Sequence, residues 1–278
     1  IYLSLKFNFI LLKSIMKNFI FKSVYNLWVN RVKPIKAFRA IRALDRNRED
    51  TTQVFHVIEA LKGNSDRQYF KIFSESKIGK NILHNKLQLV DVLKDKVYLS
   101  KLPKDTLGFK YYEFIYKENL SPDELIEASE ASSDKHYSNR GISENELFFN
   151  TRKRDMHDLW HVATGYGRDA LGELSLLAFT YAQEQNRGVG AIALYGYWKV
   201  GKVLADQNLS LRQVIYEGYT NGKIANLWSC EDWEKLIELP LDDVRKRINS
   251  KKPNLYLNTL EKLSLQQINL NNNQILTG

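Results

Sequence analysis

A single cysteine, Cys230, among 278 residues leaves no internal disulfide and no thiolate cluster for zinc, so the chain reads as one from a reducing compartment. With 5 Pro and 14 Gly it is neither collagen-like nor of low complexity, and no internal repeat period is visible. Long apolar runs are missing too. The stretch Phe7 to Leu12 is bounded by Lys6 and Lys13, and Lys17 and Lys22 follow, so nothing approaches the ~20 apolar residues of a membrane-spanning helix. The same interruptions, with no small-residue cleavage site behind them, speak against a secretory signal. Acidic residues are absent from positions 1–44, which carry nine Lys or Arg, while the 32 remaining basic residues balance 32 acidic ones. The net charge of +9 therefore belongs to the N-terminal part and the body is neutral. A nucleic-acid-binding protein spreads its basic residues over the folded module, so that class is set aside. A basic segment containing aromatics fits the surface of an anionic membrane better.

What is present is enough apolar material, 44% of residues against 26% charged, to bury a sizeable core. The spacing is helical from Arg31 onward. Phe38, Ile41 and Leu44 form one stripe, and Val54, Phe55, Ile58 and Leu61 another. Gly63-Asn64-Ser65, Ser121-Pro122 and the polar stretch from Ser132 to Gly141 punctuate the helices, and Ser121 reads as a helix N-cap with Pro122 in the first turn. Sustained alternation and hairpin signals are lacking. Two long helical candidates run from about Arg152 to Gln185, broken at glycines, and from Gly188 to Ala205. Both have uncharged centres, which marks helices that are buried or meet an apolar ligand. We expect an all-α, single multi-helix domain over residues 31–250, with paired buried helices forming a metal site and an apolar lipid channel. Residues 1–30 would be a membrane-contacting arm, and residues 251–278 a loose, Asn- and Gln-rich tail. The sequence opens on Ile1 with its first methionine at Met16, so residues 1–15 also read as an over-extended reading frame.

The chemistry concentrates in Arg154-Asp155-Met156-His157-Asp158-Leu159-Trp160-His161. Side chains four apart share a helix face, so His157 and His161 are placed to hold one divalent ion, with Asp158 about 100° further round. On a continuous helix, Glu173 would lie about 18 Å along the axis and about 120° around it, out of reach. A reversal is therefore required, for which Gly165, Gly167 and Gly172 give the freedom and Arg168-Asp169 a new helix start. Such a set leaves coordination positions open for water or substrate, as in catalytic rather than structural sites. Zinc is the expected ion, with magnesium, manganese, cobalt or iron as alternatives. Asp158 has three readings open to it: ligand, partner of a histidine N–H, or general base. Tyr195, Tyr197 and Trp198, in the uncharged run from Gly188, are candidate lipid contacts. Arg154, with Lys199 and Lys202, is a candidate for an anionic head group.

The pattern H-D-x-x-H, eleven residues, then E, within His157-Asp158-Leu159-Trp160-His161-Val162-Ala163-Thr164-Gly165-Tyr166 through Leu171-Gly172-Glu173, resembles the signature of the coenzyme Q biosynthesis protein 4 (Coq4) family. Leu102-Pro103-Lys104-Asp105-Thr106-Leu107-Gly108 is similar to a second motif of that family, and Trp233-Glu234 through Leu239-Pro240-Leu241 to Val244-Arg245 to a third. The resemblance implies an all-helical protein of ubiquinone synthesis at the membrane. It also implies a metal held by His157, Asp158, His161 and Glu173, and loss of the ring carboxylate from a polyprenylated 4-hydroxybenzoate with hydroxylation at the same carbon. No dinucleotide, flavin or haem motif is visible, so dioxygen reacting at the metal or a partner oxidase must supply the oxidant. The implied partners are a polyprenyl-quinone precursor, the membrane surface, other ubiquinone-biosynthesis proteins and a second copy of the chain. The implied place is the cytoplasmic side of a bacterial inner membrane or the matrix face of a mitochondrial one. A metallohydrolase fits less well, because shortening the glutamate of H-E-x-x-H to Asp158 withdraws the base from the metal-bound water. Histidine-aspartate phosphohydrolases need further ligands that His56, His84 and His136 do not provide. A non-enzymatic lipid-binding scaffold is the alternative of a different class.

Overall fold

Apolar side chains spaced three and four apart wind the chain into helices, and the computed structural model describes residues 32–47, 50–116, 142–203 and 211–264, in which helices are joined by short turns. In chain order these are α1 (Pro34–Arg46), α2 (Thr51–Leu61), α3 (Ser65–Glu75), α4 (Lys77–Asn85), α5 (Leu89–Lys94), α6 (Lys96–Lys101), α7 (Leu107–Tyr116), α8 (Glu144–Asp155) and α9 (His157–Thr164). There follow α10 (Ala170–Glu184), α11 (Arg187–Val203), α12 (Leu211–Ile224), a 3₁₀ turn Trp228–Cys230, α13 (Trp233–Leu236) and α14 (Leu241–Arg247). A last helix, α15, covers residues 254–264. Among the described residues no strand forms, and one isolated bridge joins Thr106 to Pro240.

The all-α expectation holds. Helix α12 lies along α10, α11 packs on α10 and α2, α1 pairs with α2, and the short α9 sits against α7. The main core closes around Trp160, Phe179 and Trp228, whose rings lie 4.5 to 6.0 Å apart. Each such buried ring contributes about 1.5–3 kcal/mol of transfer free energy. The two outlying motifs of the sequence meet in space: Leu107 N–H donates to Leu239 O at 2.9 Å, and Leu241 N–H to Asp105 O at 2.8 Å. Buried charges come in partnered sets. Arg152 grips Glu234 with two bonds of 2.5 and 2.6 Å, and Lys153 bonds both Asp66 and Glu184 at 3.1 Å.

Several expectations are revised. The helix marked by the Phe38, Ile41 and Leu44 stripe forms, but that stripe does not coincide with the core face: Ala37 and Ala40 are buried and Ile41 packs beside them, whereas Phe38 is 60% exposed. The long helical stretch from Arg152 breaks not only at the glycines but also at Met156, where α8 ends and α9 begins. The uncharged run of α11 is not buried all round, since Leu194 and Trp198 face solvent. Residues 254–264 are helical and Tyr256 is buried, so the loose tail does not begin at Lys251; Tyr256, Thr259 and Leu260, at helical spacing, give this stretch a face to pack. The N-terminal arm of residues 1–30, the helix start at Ser121 and the Asn-rich end fall outside the described residues.

Candidate metal centre

The reversal demanded by the sequence is built from a cap, a turn and a second cap. Helix α9 ends at Gly165, whose φ of 84° lies in the left-handed region and whose N–H closes on His161 O at 2.8 Å. Four residues later, Asp169 opens α10, accepting from Leu171 N–H and Gly172 N–H at 3.1 Å each. A side chain at Gly172 would run into the Gly167 carbonyl, so the two limbs of the turn require glycine there. The result returns Glu173, in the first turn of α10, to the face of α9 that carries the histidines.

Four groups converge. His161 Nε2 lies 3.4 Å from Glu173 Oε1, His157 Nε2 lies 3.9 Å from Glu173 Oε2, and the two imidazole centres are 4.8 Å apart. Ligand atoms of His157, Asp158 and His161 all fall within 4.8 Å of one another. The His161 side chain is fully buried, and its Nδ1 is 3.0 Å from Tyr166 O, which fixes the proton on Nδ1 and leaves the Nε2 lone pair directed into the site. That Nε2 has no hydrogen-bond partner in the protein. A buried nitrogen lone pair beside two carboxylates and a second imidazole suits a divalent cation, and the carbonyl on the far ring nitrogen is the usual outer support of a metal-bound histidine. The charges agree. Burial alone would lower the His157 pKa, but the hydrogen bond that His157 donates to Asp158 and the charges of Asp158 and Glu173 raise it overall. Burial opposes ionisation of Asp158 and Glu173 as well, yet the histidines and Arg168 hold both carboxyls below their usual range.

The comparisons with known proteins bear on which family builds such a site. A model of the family described as coenzyme Q (ubiquinone) biosynthesis protein Coq4 matches residues 35–254. The chain belongs to the Coq4 family. Among its relatives are the mitochondrial ubiquinone biosynthesis protein COQ4 of Candida tropicalis, 26% identical over 66% of this chain and 53% of that protein, and that of Vanderwaltozyma polyspora, 27% identical over 66% and 50%. The chain thus spans about half the length of the curated relatives it matches. A crystal structure of a Nostoc punctiforme protein assigned provisionally to ubiquinone biosynthesis superposes with a TM-score of 0.56, covering 78% of this chain and 98% of that one at 19% identity, a likeness of fold.

Around this Coq4-family centre stand residues that the sequence did not assign to the site. Phe114 of α7 stacks on the His161 ring, with centroids 5.5 Å apart. Tyr111, one turn earlier, is buried; burial, and then the Asp158 charge, push its phenol far up. Arg168 sits exposed on the turn, close enough for its charge to act on His157, Asp158 and Glu173. The turn is braced from the C-terminal side. Arg245 donates to Ala163 O at 3.1 Å and Val162 O at 3.2 Å, Ser250 to Ala163 O at 3.1 Å, and Tyr256 accepts from Gly167 N–H at 2.9 Å while donating to Asp169. Only the adjacency of Arg168 to the motif was readable beforehand; the rest are long-range contacts.

The other expected site residues lie apart from the four-group cluster. Arg154 turns to the neighbouring Asp155 carboxylate, with bonds of 2.9 and 3.0 Å. Lys199 pairs with Asp45 of α1, and the Lys202 side chain is not described. Tyr197 lines an open groove of about 510 Å³ between α10, α11 and α12, with Tyr181, Leu194, Tyr216 and Tyr219. Tyr195 and Trp198 do not line that groove and stand together with ring centres 6.3 Å apart. The groove is open to solvent, not a closed channel.

Proposed function

We propose that the chain is a peripheral, metal-dependent enzyme of ubiquinone biosynthesis that removes the ring carboxylate of a polyprenylated 4-hydroxybenzoate with hydroxylation at C1. The observation that carries this reading is the convergence of His157, Asp158, His161 and Glu173 around the unpartnered Nε2 of a buried histidine, in a chain of the Coq4 family. A bound divalent cation, zinc first among the candidates, supplies a Lewis acid for the carboxylate or phenolate and stabilises charge as carbon dioxide leaves. The protein's own part is to hold the geometry. Glu173 and the two histidines would hold the ion. Asp158, hydrogen-bonded to His157 Nδ1 at 3.2 Å, orients that imidazole and would take a proton from a substrate hydroxyl. Oxidising power comes from dioxygen or a partner oxidase.

The polyprenyl tail is assigned to the groove lined by Tyr197, Tyr181 and Tyr219, because α10 forms one wall of it and presents Glu173 from its first turn. The working place of the protein is the cytoplasmic surface of a bacterial inner membrane or the matrix surface of a mitochondrial one, beside other ubiquinone-pathway proteins. No helix among the described residues is long and apolar enough to cross a membrane.

Replacing His157 or Glu173 by Ala is expected to abolish metal retention and quinone production while leaving the helical circular dichroism intact. Normal quinone production by both variants would overturn the assignment. In a knockout, accumulation of a carboxylated polyprenyl-ring intermediate supports the enzyme; a mixture of unprocessed early precursors supports a scaffold that organises the other enzymes instead.

A further inference from the structure

The exposed face of α1 combines features that water alone does not reward. Ala37 and Ala40 turn inward onto Val57, Ala60 and Ile192, while Ile35 is 70% and Phe38 60% exposed. On the same outward side, at helical spacing, Arg39, Arg42 and Arg46 are exposed, and Arg42 lies over the Phe38 ring with its guanidinium carbon 6.0 Å from the centroid. Next to it runs α11, whose outward residues Leu194 and Trp198 are 68% and 50% exposed. The two helices meet at the Lys199–Asp45 ion pair, which uses the one acidic side chain of α1. Large apolar groups set among arginines, with the helix's lone carboxylate neutralised, form the interfacial pattern: the apolar groups enter the acyl boundary and the guanidinium groups stay at the head-group level.

We infer that the outer face of α1, continued by Leu194 and Trp198 of α11, is the surface by which the folded body lies on an anionic lipid bilayer. The occupant follows from the charge. A two-fold dimer through this patch would crowd Arg39, Arg42 and Arg46 of both copies into one interface, with the helix's carboxylate, Asp45, already engaged by Lys199, whereas acidic phospholipids complement them. Leu194 also forms part of the groove beside Tyr197, so the bilayer contact borders the opening through which an isoprenoid tail would pass. That last point rests on the function proposed above; the docking surface itself does not.

The test uses the full chain and co-sedimentation with vesicles of phosphatidylcholine, with and without 30% phosphatidylglycerol. Ile35→Glu/Phe38→Glu and Arg39→Glu/Arg42→Glu are each expected to lower partitioning onto the anionic vesicles by about tenfold or more, with unchanged circular dichroism. Leu194→Asn/Trp198→Asn is expected to lower it severalfold, and Trp198→Phe to remove part of the fluorescence quenching by brominated lipid. Binding equal to the parent chain in all three double variants overturns the surface, as does a substitution that dissolves a dimer without changing vesicle binding. His157→Ala is expected to bind vesicles like the parent chain. Failure of the metal chemistry with vesicle binding intact, or the reverse, therefore separates the two proposals.

Discussion

At the scale of single residues the site is a contest between a proton and a metal ion for the same imidazoles. Because the folded His157 pKa is raised above 6.5, the pairing of its charged form stabilises the metal-free protein below that value and is lost as pH climbs through the raised one. Asp158 and Glu173, depressed from 3.8 and 4.5, contribute above those values and lose their contribution as pH falls through the depressed ones. The metal-free chain is therefore expected to gain most from this cluster between about pH 4.5 and 6.5. A metal ion requires neutral His157, so the rise in melting temperature on adding zinc should grow from pH 6 to pH 8, with protons released on binding as seen by calorimetry in buffers of different ionisation enthalpy. A shift independent of pH would rule His157 out as a ligand. The two candidate histidine ligands were legible because i, i+4 spacing is a local property of helices. Phe114 and Tyr111 were not, since nothing local in α7 says which helix its aromatic face meets.

Among the elements, the turn between α9 and α10 decides whether Glu173 reaches the histidines. Its reversal could be read from Gly165, Gly172 and Asp169, whose preferences for a left-handed cap, a close backbone approach and an N-cap are intrinsic to those residue types. Asp169→Ala removes the cap and the acceptor for Tyr256, and is expected to cost about 1–2 kcal/mol in urea denaturation. Tyr256→Phe keeps the ring that packs 5.3 Å from Tyr166 but loses both hydrogen bonds to the turn. It should weaken zinc affinity about tenfold, with little change in helical signal, and equal affinity would show the brace to be ornamental to the metal. The brace escaped sequence reading because residues after Lys251 look polar, and one buried tyrosine at a distance of 87 positions from its partner leaves no periodic trace. Phe38 illustrates the opposite case: its spacing with Ile41 and Leu44 announced the helix, but hydrophobic spacing reports a face, not what that face meets, and Phe38 stands exposed.

For the molecule as a whole, the all-α character was plain from periodicity, while the mutual docking of the Leu102–Gly108 and Trp233–Arg245 segments rests on backbone bonds that no side-chain pattern announces. The buried charges tie distant parts together in the same silent way. Lys153 holds Asp66 and Glu184 in a region where each side chain is about one-tenth exposed. Burial would lower the lysine pKa, but the two carboxylates raise it overall. Lys153→Met leaves two carboxylates buried without their cation and should cost about 3–5 kcal/mol by chemical denaturation. A loss below about 1 kcal/mol would mean that water reaches the cluster. The position of the brace along the chain has a consequence for synthesis. Arg245 and Tyr256 follow the groups they steady by 82 and 89 residues, so a growing polypeptide emerges with both histidines and Glu173 well before their support exists. Metal captured on the ribosome would meet an unsteadied turn, and selective loading has to wait until Arg245 and Tyr256 have been made and have docked.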